Sequence, residues 1–135
     1  MTTYFADTYF YLALLAPIDE DHALVMAFND QFDGKMVTTD WVLIEVADAL
    51  SNGRNRERFI ELLDFLRSNE DIEIVRCTPD LFDRGVELYR DRSDKNWSLT
   101  DCISFEVMKD RGLWEALTGD QHFEQAGYRA IWSKV

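Results

Sequence analysis

Short β-prone segments alternate with amphipathic helical segments along most of this chain, and that rhythm selects a mainly parallel sheet covered by helices. Residues 3–6 lead into Asp7 and the apolar stretch 9–15, which fits a short buried strand followed by a helical turn. Within 19–32, Leu24, Ala27, Phe28 and Phe32 recur at helical spacing, with acids in the first turn where the helix dipole favours them. Residues 35–38 are β-prone and end in the cap-forming Thr38, Thr39 and Asp40; Leu43, Val46, Ala47 and Leu50 then mark one face of a helix that Asn52 and Gly53 stop. Phe59, Leu62, Leu63 and Leu66 make a further helical stripe, and Ile72, Ile74 and Val75 a strand. Thr78 and Pro79 are a cap and a first-position proline in their preferred order, and Leu81, Phe82, Gly85, Leu88 and Tyr89 are expected on the inner face that follows. A polar loop over 91–96 precedes a helix over 98–111 ended by Gly112, then strands over 115–118 and 129–132 flanking a short helix over 121–126 with Gly127 behind it.

A chain of 135 residues is the commonest size for one domain and buries about two thirds of its unfolded surface, so residues 1–135 are read as a single domain with one core. A hydrophobic share of 47% beside 30% charged residues excludes a disordered chain. The longest apolar stretch, 9–16, is too short to cross a bilayer and follows no basic segment, so a cytoplasmic protein with no membrane partner is expected. Cys77 and Cys102 stand alone, without zinc-type spacing, and are read as two buried reduced thiols. With 26 acidic against 14 basic residues, the net charge of −12 repels nucleic acid at long range. That argues against a general RNA-binding module, but not against an enzyme that meets phosphate through bound cations and a local basic patch.

In sheets of this kind, sites collect beyond the carboxyl ends of the strands. Asp7 and Asp120 lie just after expected strands, Asp101 opens a helix, and Glu45 flanks the buried face of another. Acids make up about a fifth of the chain, and most are accounted for as solvating or capping groups. Asp7 in F-A-D-T and Asp101 in W-S-L-T-D-C-I-S-F differ because apolar neighbours continue on both sides, and a buried carboxylate needs a partner. Two carboxylates about 4 Å apart repel by roughly 4 kcal/mol at an effective dielectric constant of about 20, enough to raise a pKa or demand a cation. Mg²⁺ and Mn²⁺ prefer oxygen ligands, and a metal so held activates water and stabilises charge on a scissile phosphate. Thr8, Ser98 and Thr100 offer hydroxyls to such a site, although capping suits Ser98 and Thr100 equally well.

The segments F-A-D-T, W-V-L-I-E-V-A-D-A-L, W-S-L-T-D-C-I-S-F-E-V-M and A-L-T-G-D-Q-H-F-E-Q-A-G-Y span nearly the whole chain. They resemble the PIN-domain family, in particular the toxin ribonucleases of VapBC toxin–antitoxin pairs. The resemblance implies a three-layer α/β/α sandwich around a central, mainly parallel sheet. It implies that Asp7, Glu45, Asp101 and Asp120 form an acidic, catalytic site for Mg²⁺ or Mn²⁺, with Asp7 and Asp101 the firmest matches and Asp120 the more variable fourth acid. Gly119 stands where a larger, often aromatic residue is common, Asp94 is read as a loop acid, and His122 matches a frequent family histidine read as packing at a helix start. The resemblance further implies a homodimer, cleavage of structured RNA such as transfer or ribosomal RNA, and inhibition by a small VapB-like antitoxin. Arg54, Arg56 and Arg58 are the densest basic run, and two readings stay open for them: contact with RNA phosphates, or a solvated helix entry with local ion pairs.

Two rival readings carry different expectations. An interaction protein on a degenerate PIN scaffold would bind without cleaving, but all four acids are present. A receiver or haloacid-dehalogenase-like phosphatase would need a D-x-D or a late-strand lysine, whereas Asp7 is followed by Thr8 and Tyr9 and no such lysine stands at a late strand end.

Overall fold

The computed structural model of the protein describes residues 2–133. Five strands, β1 (Thr3–Ala6), β2 (Lys35–Thr39), β3 (Ile72–Val75), β4 (Glu115–Leu117) and β5 (Arg129–Ala130), form one sheet in the order β3-β2-β1-β4-β5. Every pairing is parallel, with Phe5 opposite Val37 on one side and Ala116 on the other. Seven helices connect them: α1 (Thr8–Leu15), α2 (His22–Gln31), α3 (Asp40–Ala49), α4 (Asn55–Ser68), α5 (Pro79–Asp91), α6 (Leu99–Arg111) and α7 (Gln121–Gln125). From β1 the chain steps outward to β2 and β3, then returns past β1 to β4 and β5. Right-handed crossovers in opposite directions place α1–α4 and α5–α7 on opposite faces, the α/β/α sandwich expected from the sequence. The direction reverses between β1 and β4, and a crevice opens at the carboxyl ends of strands at such a point. Asp7 directly follows β1 and Asp120 lies shortly after β4.

Local sequence explains most element boundaries. The Thr39 side chain accepts the Val42 N–H at 3.0 Å and starts α3; Thr78 does the same for Leu81, with Pro79 in the first turn of α5. Gly112 ends α6 in the left-handed region at φ 64°, where a side chain would be strained. Helix α6 is the most deeply sunk: Cys102, Ile103, Phe105, Val107 and Met108 are all buried. No helix among the described residues is long and apolar enough to cross a membrane.

Several expectations are corrected. Residues 9–15 contain no strand: β1 ends at Ala6 and a full helix starts at Thr8, because both faces of that run are covered and period alone cannot separate a buried strand from a buried helix. In α2 the inward residue is Val25, with Phe28 and Phe32 partly buried, while Leu24 is 50% exposed and Ala27 is exposed. Its first turn carries no acid, since Asp19 lies in the preceding turn and accepts the Asp21 N–H. On α5, Leu81 and Gly85 face inward, but Phe82 and Tyr89 are 45% and 53% exposed. Strand β5 covers two residues rather than four. Cys102 is buried as expected, whereas Cys77 is exposed just ahead of α5.

Gly85 lets α5 approach α6. A Cβ there would fall 2.4 Å from Ile103 Cγ1 and 3.4 Å from the Ile103 backbone nitrogen. Gly85→Ala is therefore expected to destabilise the protein by about 1–3 kcal/mol, despite alanine's better helix propensity. Urea unfolding would show a lower midpoint at unchanged slope, and an unchanged or higher midpoint would contradict the close packing.

Candidate metal centre

Asp7 occupies the N-cap position of α1, yet its side chain makes no capping bond. Its carboxylate Oδ2 instead accepts the Thr118 hydroxyl at 2.9 Å, in the interior of the protein. Thr118, fully buried just after β4, also accepts the Asp120 N–H at 3.0 Å. One hydroxyl thus ties the first acid to the loop that carries the last. Asp101 comes from α6, where it closes a capping box: its backbone N–H donates to Ser98 Oγ at 3.0 Å and its Oδ2 accepts the Ser98 N–H at 3.2 Å. The same Oδ2 lies 3.0 Å from His122 Nδ1. Asp120 caps α7 by accepting the His122 N–H at 2.9 Å, and its Oδ1 is 3.4 Å from His122 Nδ1. Ligand atoms of Asp101, Asp120 and His122 all lie within 4.8 Å of one another.

Electrostatics makes this a single cluster. Burial pushes the Asp7 carboxyl up to about 7, and repulsion from Asp101 and Asp120 adds to it against the hydrogen bonds from Thr118 and the Thr8 backbone. Burial also raises Asp101 above its ordinary value, opposed by His122 and the Ser98 N–H, with Asp120 again repelling. Glu45 reaches in from α3 and joins through an intermediary: the Thr8 hydroxyl donates to its Oε1 at 2.6 Å, one residue beyond Asp7. A buried carboxylate acted on by further carboxylates is the charge pattern that a hard divalent cation relieves. The donor set of carboxylate oxygens and one imidazole fits such an ion.

Other candidates sit elsewhere or act differently from their expected parts. Ser98 serves as a cap, and it is its backbone N–H that holds Asp101. Asp94 is bound by both Arg92 Nε and Nη2 at 3.0 Å in an exposed loop. Arg56 and Arg58 donate to the carbonyls of Ser51 and Leu15, and Arg54 is exposed before α4. Leu15 closes α1, so about 12 Å of helix separates Arg58's anchor from Asp7. At Gly119, a Cβ would stand 2.7 Å from the Tyr9 ring, so Tyr9 fills the space a larger side chain would take. Thr118 is not among the residues expected from sequence; its position two residues before Asp120 in A-L-T-G-D was the available signal.

The chain matches the family model described as PIN domain over residues 4–127. Among solved structures it is similar to Mycobacterium tuberculosis VapC20, a sarcin-ricin loop cleaving toxin, with a TM-score of 0.86 and 22% identity over 96% of this chain and 98% of that one. It is similar to FitAcB from Neisseria gonorrhoeae with a TM-score of 0.69 and 16% identity, covering 98% and 97% of the two chains. VapBC2 from Rickettsia felis, bound to a promoter DNA fragment, gives a TM-score of 0.64 and 13% identity, covering 96% of each. A comparison with curated protein sequences finds no significant match. Fold, chain-long family match and converging carboxylates agree, and the chain belongs to the PIN-domain family.

Proposed function

We propose that this protein is a metal-dependent endoribonuclease in which Asp7, Asp101, Asp120 and Glu45 hold Mg²⁺ or Mn²⁺. The observation that carries this reading is the convergence of Asp7, Asp101 and Asp120 on one crevice, where Asp7 is buried and repelled by the other two acids. When bound there, the ion supplies an activated water and stabilisation of charge on the scissile phosphate. The chain's own residues hold the carboxylates in place: Thr118 orients Asp7, the Ser98 N–H orients Asp101, and Thr8 orients Glu45. Similarity to VapC20, FitAcB and VapBC2 supports a toxin of a toxin–antitoxin pair, with structured transfer or ribosomal RNA as substrate, a small VapB-like antitoxin as inhibitor and a homodimer as the working form. Incubating the purified protein with total cellular RNA, with Mn²⁺ or with EDTA, and mapping new ends tests it. Discrete ends that require the metal are expected, and intact RNA in both conditions would refute the nuclease.

With a net charge of −12, RNA engagement requires a local basic surface, and Arg54, Arg56 and Arg58 form the densest run. Replacing all three with Gln should weaken RNA binding and reduce the slope of log K against log salt by about two. An unchanged slope would assign them instead to the carbonyl contacts they make with Ser51 and Leu15.

A further inference from the structure

From its place in the first turn of α7, His122 is expected only to pack at a helix start. Its Nδ1 nevertheless faces the carboxylates of two other positions: 3.0 Å from Asp101 Oδ2 and 3.4 Å from Asp120 Oδ1. We propose that His122 is itself a metal ligand, its Nδ1 joining one carboxylate oxygen each from Asp101 and Asp120, and that this nitrogen makes the site favour Mn²⁺ over Mg²⁺. The inference rests on the metal-binding reading of the acids and deepens it.

Donor spacing supports it. Ligand atoms at about 2.1 Å from one ion stand about 3.0 Å apart when adjacent in an octahedron and about 3.4 Å apart in a tetrahedron. The two separations from Nδ1 fall at those values. The ring is also delivered by a rigid mount. His122's own N–H is bound by Asp120, whose N–H is bound by Thr118. The adjoining Phe123 is fully buried, and Gln125 accepts the Trp97 Nε1–H at 3.0 Å, fastening α7 to the residue before Ser98. The other histidine, His22, is engaged elsewhere, its Nδ1 lying 2.7 Å from the Ala13 carbonyl.

Chemistry then sets the metal preference. Mg²⁺ is confined largely to oxygen ligands, whereas neutral imidazole suits the first-row transition ions, Mn²⁺ being the one that also keeps a carboxylate and water environment. A site of carboxylates alone separates the two ions poorly, and a single fixed nitrogen separates them better. The competing arrangement is an Nδ1–H that donates to Asp101 and only orients it. In that case the ion's ligands are all oxygen, and His122 is a positioning residue.

Pulsed electron paramagnetic resonance on the Mn²⁺-loaded full chain tells these apart without reference to activity. The expected result is a directly coordinated ¹⁴N signal that changes when histidine alone is ¹⁵N-labelled, that disappears in His122→Ala and that persists in His22→Ala. Titration should show Mn²⁺ affinity falling at least about tenfold in His122→Ala, with Mg²⁺ affinity moving less than about threefold. Because the wild-type spectrum carries the test, a His122→Ala chain that folds poorly does not weaken it. Bound Mn²⁺ without nitrogen coupling, or a coupling lost only in His22→Ala, overturns the ligand role while leaving the acidic metal site intact. Failure of the wild-type chain to bind Mn²⁺ at all overturns both.

Discussion

Asp101→Asn should reduce metal-dependent RNA cleavage by about 100-fold or more while leaving the fold intact. The two halves of that expectation come from different atoms of one residue. Structurally, Asp101 is the third residue of α6, where its side-chain oxygen accepts the Ser98 N–H and its backbone donates to Ser98 Oγ. An asparagine oxygen still accepts that bond, and the exchange costs at most a few tenths of a kcal/mol in helix-dipole stabilisation. Chemically, the substitution removes a negative charge that repels Asp7 and lies within ligand distance of Asp120 and His122. Even groups that only orient a metal's ligands lower affinity or activity 10- to 100-fold when altered, and a ligand's own charge should matter at least as much. The measurement is cleavage of a mapped RNA site in Mn²⁺, with wild type and variant matched by circular dichroism. Equal cleavage by both would remove Asp101 from the active centre. Cleavage by both in EDTA would point to a contaminating nuclease.

Without metal, the protein should lose stability as pH rises from about 4 to 8, and Asp7→Asn should abolish much of that loss. Burial is the main cause of Asp7's elevation from 3.8 to about 7, with Asp101 and Asp120 contributing repulsion. A carboxyl whose folded-state pKa exceeds its unfolded value stabilises the fold in its protonated form. That contribution is complete below the unfolded pKa and disappears as pH rises through the folded one. An elevation of this size corresponds to a loss on the order of 4 kcal/mol, or roughly 10 °C in melting temperature for a chain of this length. Asp101, also raised by burial, acts in the same direction. Asn at position 7 keeps an oxygen for the Thr118 hydroxyl without the buried charge, so its melting temperature in EDTA at pH 8 should exceed that of wild type. Saturating Mn²⁺ should restore wild type by about 2.7 kcal/mol at a hundred times its Kd and have much less effect on Asp7→Asn. A melting temperature in EDTA that stays flat from pH 5 to 8 would show that Asp7 is already neutralised in the metal-free protein.

The residues read least well from sequence share a cause. Helix α1 and helix α6 are covered on more than one side, so apolar positions in them carry no clean period; in α1 this concealed a helix behind a strand-like run. In α2 the true inner residue, Val25, stands beside the exposed Leu24, and an apolar count cannot decide which of two neighbours turns inward. Phe82 and Tyr89 satisfy helical spacing on α5 but flank the face that α6 covers, because Gly85 and Leu81 define the contact. Cys77 was read as buried from the general habit of free thiols, and its place before α5 leaves it exposed.

Sequence alone determined the alternating architecture, most helix starts and stops, and the four acids singled out, since each depends on interactions within a few residues: caps, periodicity, turn residues and apolar flanks. Only the tertiary structure decided which of those acids meet. Asp7 and Thr118 are 111 positions apart, and their bond exists because β1 and β4 lie side by side where the sheet reverses direction. The same long-range pairing turned a capping box at Ser98 and a short helix at Asp120 into parts of one centre, and brought His122 from a helix start to the carboxylates. Convergence of that kind is a property of strand order, which no local pattern encodes.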